Sequence, residues 1–174
     1  FNSLMKLENT DSSPYNPMIN AGAIVVASCL ASEISFDTML DTVRALCIDP
    51  DINLDKKVYH SEMSHISRNR AIAYLLESKG YIEKNKDVEN SLHFYVKMCS
   101  LSVTAESLAG LGLILANDGI HPDTGKRLLS SQAVKIVKTL MFTCGMYDGS
   151  GEFAVRVGIP SKSGVGGGIL SVVD

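Results

Sequence analysis

Over most of this chain, apolar residues recur three and four positions apart. That spacing restricts it to a largely helical core in which each helix buries one apolar stripe. It predicts helices over about 17–31, 36–48, 59–79, 88–100, 104–117 and 130–143. Two of the starts carry caps: Thr104 with Glu106 and Ser107, and Ser130-Ser131-Gln132 ahead of Ala133-Val134, place hydroxyls where the first free backbone N–H groups need acceptors. The strongest punctuation is the turn cluster from Asn117-Asp118-Gly119 to His121-Pro122-Asp123-Thr124-Gly125. Beyond Gly145 the pattern shortens into β-prone pieces, Phe153–Val157 and Gly168–Val173, separated by the small-residue stretch from Pro160 to Gly167. The expectation is a helical block leading into a sheet.

With 174 residues, 45% of them hydrophobic and 20% charged, the chain can bury one sizeable core, and one domain is the default. The 16 basic and 19 acidic residues are scattered and sum to −3, so no basic stripe is available to follow a phosphate backbone or an anionic bilayer. Neither a nucleic-acid partner nor a membrane is expected. The longest apolar stretches, Ala21–Leu30 and Leu108–Ala116, fall well short of the roughly 20 residues a spanning helix needs. Cys29, Cys47, Cys99 and Cys144 occur singly in apolar segments and read as buried thiols of a reducing compartment. Among the histidines only His60 and His65 are close, and a spacing of five does not face one side of a helix, so no metal site is expected. The chain opens at Phe1 and closes on the apolar run Ile169–Val173 before Asp174 without a terminating turn, as though cut from a longer polypeptide at both ends.

Three segments are unusual for a plain helical core. In Asn16-Pro17-Met18-Ile19-Asn20-Ala21-Gly22-Ala23, Asn16 reads as an N-cap with Pro17 in the favoured first helical position. Asn20 lies among small residues that permit close approach, and its carboxamide can both donate and accept. A bond to a neighbouring loop accounts for it equally well. In the second segment, Glu62 and Asn69 stand seven residues apart, two turns of one helix, and so share a face. An acid can hold an α-ammonium group and an amide an α-carboxylate, although a solvated helix face is the simpler reading of the pair alone. The third pairs Cys144-Gly145-Met146-Tyr147-Asp148 with Pro160-Ser161-Lys162-Ser163-Gly164-Val165 and three further glycines, where backbone N–H groups could reach a substrate. A flexible hairpin is the alternative.

Taken in order, NPMINAGAI at 16–24, SE at 61–62 with RN at 68–69, HFYVKMCS at 93–100, CGMYDGSGEF at 144–153 and IPSKSGVGGGI at 159–169 resemble the glutaminase family along essentially the whole chain. Phe1-Asn2-Ser3 with Lys6-Leu7-Glu8 looks most like bacterial members. The resemblance implies an α/β (α+β) fold similar to serine β-lactamases and transpeptidases. Residues 1–145 would hold mainly the helical part of a partial glutaminase domain, and 146–174 the first strands of its C-terminal sheet. Lys162-Ser163-Gly164 looks like the third motif of that superfamily, where Lys-Thr-Gly is usual.

The activity implied is hydrolysis of the L-glutamine side-chain amide to L-glutamate and ammonia through a serine acyl-enzyme, with no metal or organic cofactor. Tyr147 would relay a proton near the nucleophile. Asn20, Glu62, Asn69, Tyr95 and Tyr147 would bind glutamine, and the Val165 N–H would form half of an oxyanion hole. The Ser-x-x-Lys bearing the nucleophile is expected outside this chain, since Ser3-Leu4-Met5-Lys6, its only instance, falls downstream of where the family places the motif. The chain by itself is therefore expected to be inactive. Family likeness also implies a cytoplasmic homo-oligomer, a dimer or tetramer. The competing readings are a non-catalytic amino-acid-binding or oligomerisation module and a β-lactamase-like hydrolase.

Overall fold

The computed structural model describes residues 16–173. The Ser3–Lys6 tetrad and the Phe1 to Glu8 resemblance lie outside those residues. The described residues fall into two compact units, one comprising 16–40 together with Asn53–Ser102, the other Asp41–Ile52 together with 103–173. The fold class is α+β, as the sequence leads one to expect, and the described residues are mostly helical with two small sheets.

The first unit holds α1 (Asn20–Ala31), the first turn of α2 (Phe36–Cys47), β1 (Asn53–Leu54), α3 (Lys56–Ser64), α4 (Ser67–Ser78), α5 (Val88–Cys99) and β2 (Leu101–Ser102). Its core is one cluster, with Ala21 and Ile24 of α1, Ile72, Ala73 and Leu76 of α4, and Val88, Leu92 and Val96 of α5, completed by Ile66 and Ile82. Each helix supplies residues three and four apart, the stripe the spacing predicts. β1 and β2 pair antiparallel, Asn53 opposite Ser102 and Leu54 opposite Leu101, and tie the entry of α3 to the exit of α5.

The second unit contains the rest of α2, then α6 (Ala105–Ala116), α7 (Ser131–Cys144), a 3-10 turn (Tyr147–Gly149), α8 (Ser150–Arg156), β3 (Ser161–Ser163) and β4 (Ile169–Ser171). The two expected caps are present: Thr104 and Ser107 form a capping box, and the Ser130 hydroxyl accepts from Ala133 N. At the end of α2 the chain runs so close to α6 that a Cβ on Gly110 would overlap the Cys47 carbonyl.

Three expectations need correction. The helix expected over 59–79 is two helices, because the Ser64 hydroxyl donates to Ser61 O at 2.7 Å and His65 Nδ1 lies 2.9 Å from both that carbonyl and Ser64 Oγ. Side chains that bond the last turn's own carbonyl offer the backbone an alternative to continuing the helix. The first helix begins at Asn20, not 17, since Asn16 Oδ1 accepts from Met18 N at 2.9 Å and closes a turn ahead of it. The Phe153–Val157 piece is helical as far as Arg156, not a strand. Its β-branched residues are overridden by the Ser150 clamp on the preceding turn, by a Glu152–Arg156 pair at 2.8 Å one turn apart, and by Gly158, whose φ of 75° ends the helix.

Candidate functional site

On the first unit, Asn20 opens α1 and donates from Nδ2 to Asn69 Oδ1 in the first turn of α4 at 2.9 Å. The small residues beside Asn20 serve the chain itself, because a Cβ on Gly22 would collide with the Asn16 carbonyl and Pro17 Cα. Glu62 is exposed near the end of α3. With the helix broken at His65, Glu62 and Asn69 do not share a helical face as their spacing suggests. Tyr95 is half-buried on α5, packed against the core cluster.

Cys99, one turn beyond Tyr95, connects two of these residues. Burial pushes its thiol up although the residue as a whole is exposed; a hydrogen bond from Tyr95 opposes that shift and the Glu62 charge reinforces it. Glu62 and Tyr95, on different helices, thus both act on one sulfur. In the sequence Cys99 is one more thiol in an apolar segment, and its local signal is the four-residue spacing from Tyr95. Of the four cysteines only Cys47 is buried, contrary to the expectation of buried thiols throughout.

On the second unit, Tyr147 starts the 3-10 turn with a φ of 53°, a left-handed conformation that costs a bulky residue strain. The buried Ser150 holds it there, donating to Tyr147 O at 2.8 Å and accepting from Met146 N at 3.0 Å. The Lys162 ammonium sits 4.5 Å from the centroid of the Tyr147 ring, and burial lowers the Lys162 pKa from its ordinary value. Lys162 Nζ also donates to the Ser163 carbonyl. Ser163 N in turn donates to Gly145 O at 3.1 Å, which stitches the Gly145–Tyr147 turn to β3.

β3 pairs antiparallel with β4, Ser161 opposite Ser171 and Ser163 opposite Ile169. Val165 stands in the connecting loop at 90% exposure. That loop is closed by Gly164 N to Gly168 O at 2.8 Å, with Gly167 at a φ of 92°. The two halves of the third sequence segment therefore meet. Among the described residues no group of histidine, cysteine or carboxylate side chains could hold a metal ion, and no single helix is long and apolar enough to cross a membrane.

The family model of glutaminases matches residues 1–174. The chain belongs to the glutaminase family. It is 50% identical over 175 residues to the glutaminase of Clostridium botulinum strain Hall, covering 98% of this chain and 57% of that relative. It is 48% identical to glutaminase 2 of Clostridium perfringens strain 13, with 99% and 57% covered. Among solved structures it resembles a probable glutaminase of Bacillus subtilis, with a TM-score of 0.88 at 40% identity, covering 97% of this chain and 55% of that one. A second probable glutaminase gives a TM-score of 0.90 at 38% identity, with 98% and 55% covered. The chain spans about half the length of the curated relatives it matches. As a glutaminase segment it carries all five ordered sequence blocks, three on the first unit and two on the second.

Proposed function

We propose that this chain is a partial glutaminase domain whose full-length protein hydrolyses the side-chain amide of L-glutamine to L-glutamate and ammonia. The observation that carries the reading is the match of the entire chain to the glutaminase family, at 50% identity to a curated member. The nucleophilic Ser-x-x-Lys belongs to sequence outside these 174 residues, and the chain alone binds glutamine without turning it over.

In this reading Glu62 pairs with the α-ammonium group, Asn20 and Asn69 bond the polar end groups, and Tyr95 closes the pocket. The pairing of Asn20 with Asn69 and the joint action of Glu62 and Tyr95 on Cys99 favour assigning these four to one ligand. The absent serine attacks the side-chain carboxamide carbon, and the tetrahedral intermediate expels ammonia to leave a γ-glutamyl ester. Water then hydrolyses that ester to glutamate and frees the serine. Tyr147 relays the proton to the leaving nitrogen, and the Val165 N–H stabilises the oxyanion. No step calls for a metal or organic cofactor. The protein acts in the cytoplasm as a homodimer or homotetramer.

Ammonia release from L-glutamine by the full-length polypeptide tests the activity, with calorimetric binding of glutamine to the 174-residue chain alongside. Release by the full-length protein and binding without release by the chain are expected. A full-length protein that releases no ammonia overturns the reading. Light scattering on the full-length protein checks the assembly, and a monomer removes that part.

A further inference from the structure

Tyr59 of α3 and His93 of α5 are joined by a hydrogen bond of 2.6 Å between the phenol oxygen and Nδ1; His93 opens the 93–100 block, but neither residue has a role in the chemistry described above. α3 is a poorly anchored element, since none of its nine residues is buried. Its start is fixed: Asp55 Oδ1 accepts from Lys57 N and Val58 N at 2.8 and 3.0 Å, and Asp55 N donates to Ser100 O at 2.9 Å. Beyond that first turn, Tyr59 and Met63 supply its packing on the core cluster. Two partly buried side chains hold so short a helix only weakly, and a hydrogen bond adds a directional constraint that the hydrophobic effect does not supply. The Tyr59 ring is further flanked by His60, with centroids 5.4 Å apart, and by His93 at 6.3 Å.

Glu62 lies three residues after Tyr59, on the adjoining turn of the same face. Its carboxylate acts on Cys99 of α5, the helix that carries both His93 and Tyr95. The register between α3 and α5 therefore sets where Glu62 stands relative to Tyr95. We propose that the Tyr59–His93 hydrogen bond is a positioning device that fixes α3 on α5 and so aims Glu62 at the α-ammonium group of glutamine. This inference rests on the role given to Glu62 under the proposed function. Tyr59 and His93 touch no substrate in it; they act through Glu62.

The test uses the full-length protein with Tyr59→Phe, which keeps the ring and its packing, and His93→Leu, which removes the ring nitrogen. Each raises the KM for glutamine roughly threefold to tenfold, the worth of one net hydrogen bond, while kcat stays within about twofold. The double variant is no worse than either single, because both remove the same bond. His93→Asn, whose amide oxygen can replace Nδ1 as acceptor, restores most of the KM. Unchanged KM in both single variants overturns the proposal, as does a fall in kcat at constant KM, or no recovery with His93→Asn. An unmutated protein that releases no ammonia overturns the glutaminase reading itself, so the two failures are distinct.

Discussion

The Asn20 side chain donates from Nδ2 to Asn69 Oδ1 at 2.9 Å, across 49 residues of sequence. The bond uses one Asn20 proton and one lone pair of the Asn69 carbonyl, and leaves the Asn69 amino group with both of its protons and the Asn20 carbonyl free of this bond. Asn69→Asp separates scaffold from ligand, because a carboxylate still accepts from Asn20 but has no proton to give. We expect glutamine affinity to fall at least about tenfold, as when a charge-assisted bond becomes a like-charge contact. The melting temperature stays within about 2 °C. Calorimetric titration and a thermal melt of the full-length protein measure the two, and an undiminished affinity removes Asn69 from the site.

Tyr147 and Glu62 are assigned to different steps, so their variants should fail differently. Tyr147→Phe retains a ring beneath the Lys162 ammonium, which lies 4.5 Å from the present centroid, and deletes only the hydroxyl. With proton relay gone, kcat falls by roughly 100-fold or more while glutamine binding changes little. Glu62→Ala does the reverse, raising KM by about tenfold or more with a smaller effect on kcat. Steady-state kinetics on the full-length protein decide the matter; wild-type kinetics in both variants would sink these assignments.

How far the sequence reveals this fold depends on whether a feature is local. Helix existence is legible because the apolar period persists, and the Thr104 and Ser130 caps lie within three residues of the groups they serve. The break at His65 is hidden because apolar spacing continues through Tyr59, Met63 and Ile66, and only the side-chain bonding of Ser64 and His65 stops the helix. The helix from Ser150 is masked by Val155 and Val157, whose strand preference yields to the turn that Ser150 clamps. Gly22 and Gly145 mark functional segments by sequence, yet each is small to admit the chain's own carbonyls. Pairings such as Asn20 with Asn69 and Tyr59 with His93 are set by tertiary packing, which no spacing rule reaches.

Gly145 provides a test of packing independent of activity. A Cβ there would overlap both Ser161 O and Met141 O, so the end of α7 and β3 can approach only over a glycine. Both obstacles are backbone and cannot rotate away. Gly145→Ala should destabilise the protein by about 1–3 kcal/mol, the usual cost of overpacking. A urea melt of the full-length protein reads this as a lower midpoint at constant slope. It should also disturb Tyr147, because Ser163 N donates to Gly145 O at 3.1 Å. A midpoint equal to that of the unmutated protein would show that the close approach relaxes freely.

Arg70 grips Glu89 with Nε to Oε1 at 2.8 Å and Nη2 to Oε2 at 3.0 Å, joining α4 to α5 directly beside Asn69. The Arg70 bond holds the Glu89 carboxyl below its ordinary value of 4.5, against a smaller opposing effect of burial. A carboxyl depressed by folding stabilises the protein at pH values above its unfolded pKa. That contribution is lost as pH falls through the lower, folded value. The side chains are 41% and 39% exposed, so solvent screening keeps the pair's contribution small. Glu89→Gln should therefore lower stability by a constant amount from neutral pH down to about pH 5, and the gap to the unmutated protein should close as pH drops below about 4. Urea melts of both proteins at pH 7, 5, 4 and 3 check this. A gap that persists undiminished at pH 3 would mean that Glu89 acts through packing and its bond from Tyr74, not through its charge.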